Sequence, residues 1–199
     1  SDVYKRQGQS ANYLSNVGEI ENKGIELSIG LQLVDTKDWN VRLNASYNTN
    51  HNKVLSIGNA VPFAIGGFSS RTVQTVVAEG EPVGFIRGYK AVLNPDNSLK
   101  EILPLQNLGS TLPTAYGNFS LSASYKNLSF MLSGDYQYGA YVHSFDRQFR
   151  FSKGLKDDAI PEKALEGLDQ GANWLNFTNF FVEKSDFLKI RNIGIAYDY

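Results

Sequence analysis

Residues 24–33 read GIELSIGLQL. Ile25, Leu27, Ile29, Leu31 and Leu33 are apolar, while Glu26, Ser28, Gly30 and Gln32 between them are not. A period of two fits a strand with one apolar and one polar face, because side chains alternate across a pleated ribbon. On a helix the same residues would spread around the whole circumference. The pattern predicts a strand over 20–34, a polar turn over 35–38 and a second strand over 39–49. In the second strand Trp39, Val41, Leu43, Ala45 and Tyr47 share one face, and Asn40, Arg42, Asn44, Ser46 and Asn48 the other. The pair forms a hairpin.

From 50 to about 115 the alternation breaks down. Gly66-Gly67, Gly80 with Pro82, and Asn94 to Asn97 are turn chemistry, and residues 83–93 suggest a subsidiary strand or small hairpin. Alternation resumes with Phe119, Leu121, Ala123 and Tyr125 opposed to Asn118, Ser120, Ser122 and Ser124. Lys126-Asn127 is a tight turn. Leu128, Phe130, Leu132, Gly134, Tyr136 and Tyr138 then face one way, and Ser129, Ser133, Asp135 and Gln137 the other, with Met131 the exception. A second excursion covers about 140–185, with a short helix expected over 156–168 and Pro161 near its start. Residues 186–199 read as a last strand.

These strands are joined by short, long, short and long connections in turn. In an antiparallel sheet that order places both short turns at one end and both long loops at the other, as in outer-membrane barrels. A long loop would count against a compact soluble domain but not against such a barrel. Strands of about 11 residues at ~3.3 Å rise, tilted by ~45°, span the ~25 Å apolar band. Trp39, Tyr47, Tyr116, Tyr125, Tyr138, Phe187 and Tyr197 fall near strand ends, where aromatic girdles sit. The expected fold is therefore all-β: antiparallel strands in an open, curved, partial transmembrane barrel with two long extracellular loops. The smallest membrane barrels need about eight strands, and an open edge in lipid leaves backbone groups unpaired. The expectation is a piece of a larger barrel, cut at both ends.

Composition narrows this further. The 199 residues carry a net charge of −1, so no basic field points to nucleic acid. No cysteine is present, which excludes disulfides and thiolate metal sites. Eleven tyrosines and twelve phenylalanines, with a single methionine, suit pleated β surfaces. No apolar run approaches the ~20 residues of a membrane helix, and none of these residues is expected to be a signal peptide. Residues 2–7, DVYKRQ, look like the translated adapter of a transposase used in DNA library preparation, so residues 1–7 are set aside as a non-native tail and 8–199 as the partial barrel.

Specific residues then carry a resemblance. Residues 16–27, NVGEIENKGIEL, resemble the N-x-G-E-I-x-N-K-G-x-E segment of SusC/RagA-type TonB-dependent transporters of Bacteroidota. In the same order, residues 48–54 (NTNHNKV), 80–89 (GEPVGFIRGY), 113–128 with Pro113, Tyr116-Gly117 and Tyr125-Lys126, and 181–192 (FVEKSDFLKIRN) are similar to further segments of that family. The resemblance implies a 22-stranded barrel with an N-terminal plug, of which this is a late portion lacking the plug and the final strands. It implies import of oligosaccharides or peptides across the cell outer membrane with a SusD-like surface lipoprotein, driven by TonB-ExbB-ExbD through the plug. Many relatives carry a D-x-N-G-D-G stretch before the Pro113 hairpin; residues 94–109 lack it, so no ion site is carried over there.

Candidate chemistry is sparse, and each feature has a plain reading beside the functional one. His51 and His143 are potential ligands or bases, or exposed loop histidines. No strand aligns a serine, a histidine and an acid, so no enzyme, catalytic residue, metal or cofactor is expected. Asp157-Asp158 is a cation site or a solvated charge pair. Asp135 and Arg42 point into the barrel as wall structure or solute contacts. Trp174, Phe177, Phe180 and Phe181 stack on ligand, dock a lid protein, or pack the second loop. Substrate-binding residues are not assigned. Asn44, Asn118, Asn127 and Asn176 open N-x-S/T triplets that follow from polar alternation. The competing reading is a non-transport β protein, either an adhesin-type barrel or a soluble β-sandwich binding module.

Overall fold

In a computed structural model of the chain, residues 18–67 and 73–199 are described. The tail 1–7 and the first two residues of the NVGEI segment lie outside the described residues. In chain order the strands are β1 (Glu19–Asp35), β2 (Trp39–Ser56), β3 (Phe63–Gly67), β4 (Gln74–Val77), β5 (Phe85–Leu93), β6 (Leu99–Ser110), β7 (Ala115–Tyr125) and β8 (Leu128–Tyr138). Then follow β9 (Tyr141–His143), helix α1 (Phe145–Ser152), β10 (Val182–Lys184) and β11 (Phe187–Tyr197). Five strands form one antiparallel sheet in the order β1-β2-β7-β8-β11. The expected wall, its order and its alternation of short and long connections are all present. No described helix is long and apolar enough to cross a membrane, which says nothing about strands.

The register aligns the faces. Leu31 pairs with Leu43, Leu43 with Leu121, Leu121 with Leu132, and Leu132 with Ile193. Directly paired residues lie on the same side of a sheet, so an aliphatic row crosses all five strands on one face. Gln32, Arg42, Ser122, Met131 and Gly194 form a row on the opposite face. Nothing covers the apolar side among the described residues: Leu27, Ile29, Leu31 and Ile195 are all exposed, Ile195 at 74%. At the short-turn end Trp39, Tyr125, Leu128 and Tyr197 form another row, with the Trp39 and Tyr125 rings 4.5 Å apart. Within the wall Gly134 makes room for the Phe119 ring from the paired strand; a Cβ there would meet that ring at 2.5 Å.

Several expectations need correction. Leu33 does not continue the row of Leu31, because a bulge between Gln32 and Val34 makes it the extra residue and Val34 pairs with Val41. A second bulge at Arg191 shifts the phase of β11, so Leu188 and Ile190 before it and Ile193 and Ile195 after it face the same way. Tyr116 and Phe187 flank Gln137 on the polar face, so they are not part of a lipid-side girdle. The second strand runs to Ser56, past the expected end at 49, still paired with β1. The helix expected over 156–168 is a single 3-10 turn at Glu162–Leu165, and the longer helix is α1. Pro161 supplies the extended residue ahead of that turn, but Gly167 with φ +73° and the short polar run around it stop any longer helix.

The first excursion is not an irregular loop. It holds a four-stranded antiparallel sheet in the order β3-β4-β5-β6, whose short strands and register shifts hid its alternation. The second excursion folds onto that sheet. Phe151, Phe177, Phe181, Ile160, Ala164 and Ala91 form a buried core between the two.

Candidate functional site

The polar face is a knitted surface. Gln32 bridges the first bulge, donating from Nε2 to Val34 O at 2.8 Å and Val41 O at 3.3 Å, and Arg42 Nε donates to its Oε1 at 3.2 Å. Asn44 donates to Ser120 Oγ at 3.2 Å, and Asn192 to Ser133 Oγ at 2.9 Å. Beside the second bulge Arg191 forms a two-pronged pair with Asp135, one arm at 2.9 Å. Arg42 and Asp135 are thus wall structure, each satisfied by a cross-strand neighbour. The face is rich in amide and hydroxyl groups, with Tyr116 and Phe187 adding rings at the loop end around a recess of about 430 Å³. Lys189 Nζ lies 4.6 Å above the Phe187 ring.

The two excursions dock on one another. Gly88 of β5 lets the 3-10 segment Trp174–Phe181 approach: a Cβ there would meet Thr178 Cγ2 at 2.8 Å. Asn179 acts as a substitute strand, accepting from Ala91 N at 2.8 Å and donating to Ala91 O at 3.3 Å. Lys163 reaches across to Asp96 at 2.6 Å. The ammonium, with bonds from Ser98, holds the Asp96 carboxyl far below the usual carboxylate range. Phe177 and Phe181 are wholly buried, so these two rings pack the second excursion. Trp174 and Phe180 pack at the edge of the same core.

Under α1 lies a polar relay. Gln148 is fully buried; its Nε2 donates to Thr178 Oγ1 at 2.9 Å and to Trp174 O at 3.2 Å. Its Oε1 therefore accepts from His143 Nε2 at 2.5 Å, which fixes the imidazole tautomer with the lone pair on Nδ1. Burial pushes the His143 pKa below its ordinary value, opposed by the bond to Gln148. Arg147, adjacent to Gln148 on α1, grips Asp157 with two bonds of 2.9 and 2.5 Å and also pairs with Glu183. That guanidinium lowers the Asp157 pKa. Asp157 is accordingly an ion-pair partner; Asp158 beside it is exposed, as is His51 on β2. Asn44 and Asn118 lie in wall strands, Asn127 in the short turn and Asn176 in the 3-10 segment, as polar alternation and loop packing require.

Between the two excursions opens a pocket of about 700 Å³. Ile86 and Thr75 of the small sheet line it from one side, and Tyr141, Val142, His143 and Phe145 from the other. Sequence reasoning missed it, since its residues come from several short segments scattered between Gly67 and Ser185 and share no spacing signal.

No protein-family model matches the chain. It is 33% identical over 82 residues to TonB-dependent receptor P39 of Formosa agariphila, an overlap of 40% of this chain and 7% of that protein. TonB-dependent receptor P26 of the same organism is 25% identical over an alignment of 224 positions that covers 93% of this chain and 23% of the relative. Among solved structures, the RagAB peptide transporter superposes with a TM-score of 0.66 at 21% identity over 92% of this chain and 23% of that one. The RagAB peptide importer in its "open-open" state gives 0.63 at 20% identity. The chain thus spans less than a quarter of the length of these relatives.

Proposed function

We propose that this chain, a stretch of SusC/RagA-type TonB-dependent receptor barrel, is part of the wall and mouth of an outer-membrane transporter importing oligosaccharides or peptides. One observation carries the reading. A single row of leucine and isoleucine crosses all five wall strands on the uncovered face, while polar side chains, amides and hydroxyls foremost, predominate on the other. Lipid against one side and aqueous solute against the other is the environment that favours both. A soluble sandwich would bury the aliphatic face under a second sheet, and the small sheet of the first excursion packs on the second excursion instead.

The wall contributes shape and a hydrated surface; the docked excursions form the extracellular entrance. In this reading a SusD-like lipoprotein closes over that entrance, and TonB-ExbB-ExbD acts through a plug elsewhere in the parent protein. The segment's role is binding and conduction, with no bond-making chemistry. The named receptors and the RagAB transporter support the transport reading, as does the sorting of short turns and long loops to opposite ends of the sheet.

The test is growth of a strain deleted for the parent gene on a panel of glycans and peptides as sole nutrient. Selective loss of growth on one class supports import. Unchanged growth and unchanged uptake of every compound in the panel contradict it.

A further inference from the structure

The pocket between the excursions has a size and chemistry that select a ligand group. Its volume of about 700 Å³ falls within the ~300–1,000 Å³ range of small-molecule sites. Ile86 and Val142 give aliphatic walls, and Tyr141 and Phe145 give rings. Two of its four hydroxyls already have partners: Thr111 Oγ1 donates to Gly84 O at 3.0 Å, and Ser185 Oγ accepts from Gln137 at 3.2 Å; Thr75 and Tyr141 supply the others. A sugar brings a rim of hydroxyls on every side, and the aliphatic walls leave part of that rim without replacement partners for its lost water, at a cost for each one. An apolar side chain brings none. His143 adds one acceptor, because Gln148 uses its Nε2 as donor and leaves the lone pair on Nδ1.

From this lining we infer that the pocket is a subsite for a large apolar side chain of a peptide, an indole above all, whose ring fills the cavity and whose N–H meets the His143 acceptor. The inference rests on the import reading above and decides its ligand class at this site in favour of peptide. Gly88 and the Asn179–Ala91 bonds hold the two halves of the pocket together, so it is preformed in the docked state.

The test uses the intact parent receptor in detergent, with N-acetyl-tryptophanamide as probe and maltotriose as competitor. A diazirine-bearing form of the probe is photolysed on the wild-type protein, and the labelled peptides are mapped by mass spectrometry. Labelling within 141–145 or at 85–86, blocked by excess unlabelled probe and not by maltotriose, supports the subsite. The exposed rim substitution Val142→Glu weakens probe binding at least ten-fold, while Val142→Ile leaves it within two-fold. Unchanged hydrogen-exchange protection at Ala91 and Asn179 in both variants shows that the excursions stay docked. Labelling confined to other regions, protection by maltotriose, or equal affinity in Val142→Glu overturns the inference. Because binding is read on purified protein, a failed subsite with an intact growth phenotype leaves import standing, and the converse is equally visible.

Discussion

Arg191 shows how much one residue decides. It is the extra residue of a bulge, and without it either Leu188 and Ile190 or Ile193 and Ile195 would turn to the polar side. Its own side chain closes on Asp135, so the residue that breaks the alternation also fills the polar face. Gly88 has a comparable effect at the mouth. Gly88→Val places methyl groups where Thr178 and Leu108 already stand, within 2.9 Å of the first added carbon. The expected cost is about 1–3 kcal/mol of overpacking, seen as faster hydrogen exchange at Ala91 and Asn179 with wall protection unchanged. Phe177→Ala removes a wholly buried ring from the loop core and is expected to cost about 3–5 kcal/mol of local stability by the same measurement.

His143 gives the mouth a pH dependence of defined sign. Its folded pKa lies below its unfolded value because burial disfavours the cation. The unfolded state therefore binds the proton first as pH falls. Docking of the excursions is at full strength above the ordinary histidine pKa of ~6.5 and weakens as pH drops through that value toward the lowered folded one. The nearby charges Arg147, Asp157 and Glu183 are paired with one another, and Asp157 loses its charge only below the usual carboxylate range. Trp174 emission followed from pH 8 to 5 is expected to report loosening below about 6.5, absent in His143→Gln.

Among elements, the wall strands were legible in the sequence because lipid and water impose opposite demands on alternate positions, and no neighbour overrides them. Pairing and faces followed directly for Leu31, Leu43, Leu121 and Leu132. The limits of that reading are physical. Bulges at Leu33 and Arg191 shift the phase by one, and their glutamine and aspartate partners carry no local signature. Tyr116 shared the parity of Asn118 and Ser120, so its place on the polar face was readable from phase, whereas proximity to a strand end pointed to a girdle. Of the small sheet only β5 showed, as the strand expected over 83–93; its other strands and α1 escaped because their apolar residues answer to each other across a long sequence gap. Phe151, Phe177 and Ala91 form one core that no single stretch reveals. The pocket inherits that difficulty. A paired substitution tests the faces: Leu121→Arg is expected to destabilise the inserted wall by about 2–4 kcal/mol, and Ser122→Arg by close to nothing, in denaturant titrations in lipid vesicles.

At the scale of the whole molecule the chain is two unlike materials joined end to end. The wall buries almost none of its leucines within itself and is completed by its surroundings, while the excursions carry their own buried core. That division explains why a likeness in fold extends across 92% of this chain to a transporter of low sequence identity. The wall is held by alternation, which many sequences satisfy, and the mouth is free to vary in chemistry. This stretch has no cysteine of its own, so single cysteines placed in it, on a cysteine-free background of the parent receptor, can be spin-labelled. The most direct measurement is a nitroxide scan of residues 119–124 of β7 in the parent receptor reconstituted in lipid vesicles, reading collision with oxygen and with a water-soluble nickel chelate. The two-solvent wall predicts that 119, 121 and 123 favour oxygen and 120, 122 and 124 favour nickel. Equal accessibility at all six positions, or protection of 119, 121 and 123 from both reagents by a covering layer, would contradict it.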